Sequence, residues 1–67
     1  MKMEKASDVR VIAALRRRAR WYRAQSPDAA DHLVEMTLEA AIEEIDYRPT
    51  DISLQEWLDS IMRRYLN

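Results

Sequence analysis

No cysteine and no glycine occur in this chain, and proline and histidine are scarce, at two and one. Without cysteine there is no disulfide and no thiolate metal site, which fits a reducing cytosol and a cytoplasmic protein. Without glycine there is no loop to cradle a phosphate, and one histidine with no thiol leaves no constellation for catalysis. The chain is therefore expected not to be an enzyme and to need no cofactor. Met1-Lys2-Met3-Glu4-Lys5 lacks the apolar run of a secretory leader, and nothing later approaches a membrane span, so no membrane partner is expected. What is present in quantity is alanine, leucine, isoleucine, glutamate and arginine, a composition that argues for helices throughout. Residues 1–67 are expected to form one all-α domain, close to the smallest size that folds without staples.

The net charge of −1 hides an uneven distribution. Residues 1–25 carry eight basic and two acidic side chains, whereas residues 26–59 carry ten acidic and one basic. Such asymmetry can mark a nucleic-acid surface. The plainer expectation is a basic first helix lying beside an acidic second one, the charges partly cancelling.

Apolar spacing predicts three helices, near 8–24, 27–46 and 54–66. In the first, Val11, Leu15, Ala19 and Tyr22, with Ile12 alongside, form a core stripe at helical steps. Trp21 falls at the stripe's edge, where it would cover the core or meet Arg17 as a cation–indole contact. Ser26-Pro27-Asp28 reads as a helix start: a capping hydroxyl, a proline where its missing N–H costs nothing, and an acid at the positive end of the dipole. The second helix would bury Ala30, Val34, Leu38, Ala41 and Ile45, flanked by Thr37 and Ile42.

Its opposite face carries His32, Glu35, Met36, Glu39 and Glu43. A flexible apolar methionine among acids on a rigid helix is what a protein contact surface looks like, although a lone exposed methionine is also ordinary. Substitutions there are expected to cost little stability. His32, Glu35 and Glu39 share a face, but one histidine with two carboxylates is a poor metal site, and no metal is expected. Pro49 ends the helical run, and Ser53-Leu54-Gln55-Glu56 fits a capping box, with Ile52 and Trp57 placed as a hydrophobic staple. Leu54, Leu58, Ile61 and Tyr65, beside Met62, would form the third core stripe, and Asp59 and Arg63 an outer ion pair.

Three segments in order, "LRRRARWY" (15–22), "SPDAADHLVEMTLEAAI" (26–42) and "RPTDISLQEWLDSIMRR" (48–64), resemble the second conserved region of bacterial sigma factors. The nearest kinds are the small extracytoplasmic-function type and the sigma-like domain of general-stress-response regulators. Leu15, Arg16, Arg17, Ala19, Pro27, Leu33, Val34, Thr37, Ala41, Arg48, Pro49, Leu54, Trp57, Leu58, Ile61 and Arg63 match that family's pattern as they stand. The resemblance implies a compact three-helix domain. It also implies that the outer face of the second helix docks on the clamp helices of RNA polymerase, with anti-sigma proteins competing nearby. In the family the last helix and the loop before it capture a melted promoter strand. His32, Glu35 and Met36 depart from the family's usual acid, glutamine and second acid. Asp59 stands where a neutral residue is usual, and a carboxylate facing DNA is repulsive. The sequence lacks the helix-turn-helix that follows in a complete sigma factor, so it is not expected to be one.

Two functions of different kinds follow. The first is an interaction module that binds a protein of the transcription machinery, the RNA polymerase clamp or an anti-sigma factor, through His32, Glu35, Met36, Glu39 and Glu43. The second is a minimal binder of single-stranded promoter DNA through Arg48, Trp57, Arg63 and Arg64, by stacking and charge. Asp51, Glu56, Asp59 and the acidic isoelectric point weigh against the second, and nucleic-acid binding is expected to be weak.

Overall fold

The computed structural model describes the backbone of residues 2–66 and the side chains of residues 9–66. Its described residues contain three α-helices, α1 (Lys2–Tyr22), α2 (Pro27–Glu43) and α3 (Leu54–Arg63), with one turn of 3₁₀-helix at Ile45–Tyr47. No strand occurs among them. None of these helices is long and apolar enough to cross a membrane.

The helix starts follow local chemistry. Ser26, extended at φ −143°, accepts the Ala29 N–H on its Oγ at 3.2 Å, and Pro27 takes the first helical position. Ahead of α3 the capping box is complete. Ser53 Oγ accepts the Glu56 N–H at 3.1 Å, while Glu56 Oε1 accepts the Ser53 N–H at 3.2 Å. The first helix differs from expectation. It begins at Lys2 rather than near Asp8, because the run before Ser7 holds good helix formers and no glycine or proline to stop it.

The helix ends also differ, each time because the chain tightens before it leaves the helix. α1 ends at Tyr22 rather than Ala24, as the Ser26 N–H turns back to the Arg23 carbonyl at 3.2 Å. α2 ends at Glu43 rather than 46. Beyond it the Tyr47 N–H donates to Glu44 and the Arg48 N–H to Ile45, each three residues back, until Pro49 breaks the pattern. α3 ends at Arg63 rather than 66, where the Arg64 and Tyr65 N–H groups reach back to Ile61 and Met62 at 3.0 Å.

The core lies where all three helices meet. Leu15 and Ala19 come from α1, Ala30, Leu33, Val34, Thr37, Ala40 and Ala41 from α2, and Trp57, Leu58, Ile61 and Met62 from α3. Each large apolar side chain buried there contributes about 1.5–3 kcal/mol. Thr37, the buried polar side chain among them, donates its hydroxyl to the Leu33 carbonyl at 2.8 Å and so leaves no group unsatisfied.

Here α2 corrects the sequence reading. It packs against both α1 and α3, so its buried arc covers two flanks and centres on Thr37. Leu33 and Ala40 are thereby buried, Leu38 is half-buried, and Ile42 and Ile45 point outward. Elsewhere Ile12 of α1 and Tyr65, just past α3, are also exposed rather than buried, and Leu54 is half-buried.

Polar links join the helices at their rims. Arg64 grips Glu44 with two hydrogen bonds, at 2.7 and 3.0 Å. Arg23 reaches the Tyr65 and Leu66 carbonyls at 3.4 Å, tying the end of α1 to the segment after α3. Asp59 is half-buried and faces Arg18 of α1 at 3.7 Å, while accepting from Gln55 at 3.3 Å. The expected Asp59–Arg63 pair is therefore not formed. The basic α1 does lie beside the acidic α2, but no ion pair joins them: among the described residues the two ion pairs, Arg18–Asp59 and Arg64–Glu44, both end on α3 or the residue after it.

Candidate functional site

Helical periodicity alone sets the outer face of α2. His32, Glu35, Glu39 and Glu43 stand at steps of three and four and are all exposed. Among the described residues none of the four takes part in an ion pair or a side-chain hydrogen bond. The α2 backbone holds them on a rigid support, and they contribute nothing to the core. What the face offers is a row of carboxylates in water, suited to a cationic or hydrogen-bond-donating partner.

Met36 does not stand at the centre of this face. It is half-buried and packs against the core cluster, because the wide buried arc of α2 reaches its position. The apolar residue among the acids is Ile42, which is 74% exposed. Its place was legible: it follows Glu35 by seven residues and Glu39 by three, the spacing of one helix face. Its apolar character, counted toward the core, hid it. Met36 and Ile42 still share a surface hollow of about 410 Å³ with Glu39, Glu43 and Tyr65. An apolar floor with an acidic border is thus present, with its exposed anchor one turn and a half further along α2 than the sequence suggested.

Beside that face lies an open apolar groove of about 340 Å³ at the end of the bundle. Ile12 of α1, Leu38, Ile42 and Ile45 of the α2 region, and Leu54 and Trp57 of α3 are among its walls. The sequence reading placed Ile12, Leu38, Ile42, Ile45 and Leu54 in or beside the core stripes and Trp57 at the staple, and so missed the groove.

The four residues considered for DNA do not form one exposed patch. Trp57 is only 5% exposed and belongs to the core, so its ring is not free to stack on a base. The staple position explains this, since Ile52 packs against the same cluster. Arg64 is engaged by Glu44. That contact lowers the Glu44 pKa, chiefly through the Arg64 hydrogen bonds and against the opposing effect of desolvation. It raises the Arg64 pKa for the same reason. Arg48 and Arg63 are exposed.

Trp21, expected at the border of the core, is 74% exposed instead, and meets Tyr22 edge-on with ring centroids 5.2 Å apart. Arg17 and Arg18 line a surface hollow with it. His32, Glu35 and Glu39 do not gather as a metal-binding group, and no such group of three occurs among the described residues.

Comparison of the chain with protein-family models, with curated proteins and with solved structures finds no match.

Proposed function

We propose that this chain is a cytoplasmic sigma-region-2-like interaction module rather than an enzyme. Its partner is a protein of the bacterial transcription machinery, the RNA polymerase clamp or an anti-sigma factor. The working surface is the outer face of α2. One observation carries the reading: an exposed Ile42 shares a surface hollow with Glu39 and Glu43, His32 and Glu35 continue the row toward the start of α2, and among the described residues none of the four polar side chains is engaged in an ion pair or hydrogen bond. An apolar anchor ringed by solvated charge is the arrangement of an interface core and its polar rim. The segments quoted above add the resemblance that points to transcription. The competing DNA reading loses support because Trp57 is buried and Arg64 is occupied.

The test is a titration of the labelled chain against purified RNA polymerase core enzyme and, in parallel, a purified anti-sigma protein. Glu39→Arg and Glu43→Arg are compared with Arg63→Ala on α3. Binding that falls about tenfold or more in the α2 variants, with melting curves unchanged, supports this surface. Binding lost in Arg63→Ala and kept in both α2 variants overturns it.

A further inference from the structure

α1 and α2 run antiparallel, and the seam between them repeats one division of chemistry on both helices. At one end Ile12 stands beside Ile42 and Ile45 along the apolar groove. At the other, Arg16 lines a hollow with Asp31 and Glu35, and Leu38 borders both openings. Beyond these, Val9 extends the apolar end of α1 and Arg20 its basic end, both exposed. Read along the seam, the α1 row is therefore apolar then basic. The α2 row at matching heights is apolar then acidic. Arg16 lies next to Asp31 and Glu35 yet forms no ion pair with either among the described residues, so both rows present their charge outward.

We propose that this α1–α2 face is the interface of a two-fold symmetric dimer of the chain. A two-fold axis lying in the face and parallel to the helices lays α1 of one copy along α2 of the other. Heights are preserved by that rotation and the two rows exchange places. Val9 and Ile12 then meet Ile42 and Ile45 of the second copy, and Arg16 and Arg20 meet Glu35 and Asp31. A face whose rows match at the apolar end and oppose at the charged end is complementary to its own rotated copy, which is the requirement of an isologous interface. This charge pattern singles out a second copy over an unrelated occupant, which would need only one of the two rows.

Two further properties favour it. The net charge of −1 leaves almost no overall repulsion between copies. A standard interface takes about 800 Å² per partner, roughly a seventh of the 5445 Å² surface of this molecule. Two crossings of α1 on α2, each up to the ~25 Å length of a 17-residue helix, are of that order. The dimer would bury Ile42 and Glu35, which the partner surface proposed above also uses, so the two associations would compete; the dimer rests on the α1–α2 seam and its test contains no other protein.

Sedimentation equilibrium of the full chain, up to about 500 μM and at low and high salt, reads the dimer directly. A salt-weakened monomer–dimer equilibrium is expected. Ile42→Arg places a charge in the apolar end and should weaken the dimer by about 30-fold or more without changing the melt, because Ile42 is exposed. The charged end is tested by mixing. Arg16→Glu and Glu35→Arg each set like charges across the interface and should be monomeric alone. Combined, they restore opposite charges at both crossings and should form a one-to-one heterodimer. A wild-type chain that stays monomeric throughout overturns the proposal. So does a dimer unaffected by Ile42→Arg, or a mixture of the two charge variants that remains monomeric.

Discussion

Met36 and Ile42 lie six positions apart on one helix and have exchanged the roles their sequence context suggested. Met36 packs against the core and Ile42 stands in water. Met36→Glu should therefore cost about 1–2 kcal/mol, by placing a carboxylate against apolar neighbours. Ile42→Glu should stay within about half a kcal/mol of wild type. Urea denaturation of the two variants ranks them, and the opposite ranking would return Met36 to the outer surface. The Glu44–Arg64 contact makes a pH prediction at the same scale. Because Arg64 holds the folded Glu44 pKa below its ordinary value, the contact stabilises the fold above the unfolded carboxylate pKa, about 4. That stabilisation is lost as pH falls from there through the lower folded value. Glu44→Gln should change the melting temperature little at neutral pH, since both partners are largely solvated. Below about pH 4 it should flatten the acid-induced fall of the melting temperature. A variant that loses stability with acid as steeply as wild type would show that the contact carries no linkage.

Elements were legible where their signals are local. Ser26-Pro27 and Ser53-Leu54-Gln55-Glu56 each place a hydroxyl within reach of a backbone N–H three residues on, with no help from the rest of the fold. Ser53→Ala removes the side-chain acceptor of that cap and should destabilise the domain by about 1 kcal/mol, measured by thermal or urea unfolding. Glu56→Ala removes the reciprocal half and should cost less. A Ser53→Ala variant indistinguishable from wild type would mean that α3 is held by packing alone. The rotational setting of α2 was not legible in the same way. Periodicity finds a stripe, but how wide an arc is buried depends on how the neighbours are placed around the helix, and α2 buries residues toward both α1 and α3. Leu33 and Ala40 were thus missed as core, and Ile42 as surface. Asp59 illustrates the same limit on α3. Spacing offered it Arg63, whereas the third dimension offered Arg18. Of the candidate site, the acidic row of α2 was readable because exposed charge at helical spacing needs no tertiary knowledge. The apolar groove was not, because it exists only where the middle of α1 meets the end of α2 and the start of α3.

At the scale of the whole molecule, the two indoles report opposite environments, Trp21 being 74% exposed and Trp57 5% exposed. This contrast turns the question of nucleic-acid binding into a spectroscopic one. If α3 captured a strand through Trp57, the core would have to open, because an indole packed among Leu58, Ile61 and Met62 cannot stack on a base. Leu54 and Ile52 cover the start of the same helix and would be exposed with it. The loss of several buried side chains exceeds the ~1–3 kcal/mol that stacking one base returns. A Trp21→Phe variant carries Trp57 as its sole indole. Its emission should be blue-shifted, poorly quenched by acrylamide, and unchanged on titration with a single-stranded promoter oligonucleotide at physiological salt. Any association left at low salt should instead fall steeply as salt rises, since exposed arginines such as Arg48 and Arg63 would carry it through phosphate contacts alone. Quenching or a red shift of Trp57 on adding the oligonucleotide, with the helical content retained, would show that α3 reads the strand, and would move the working surface from α2 to α3.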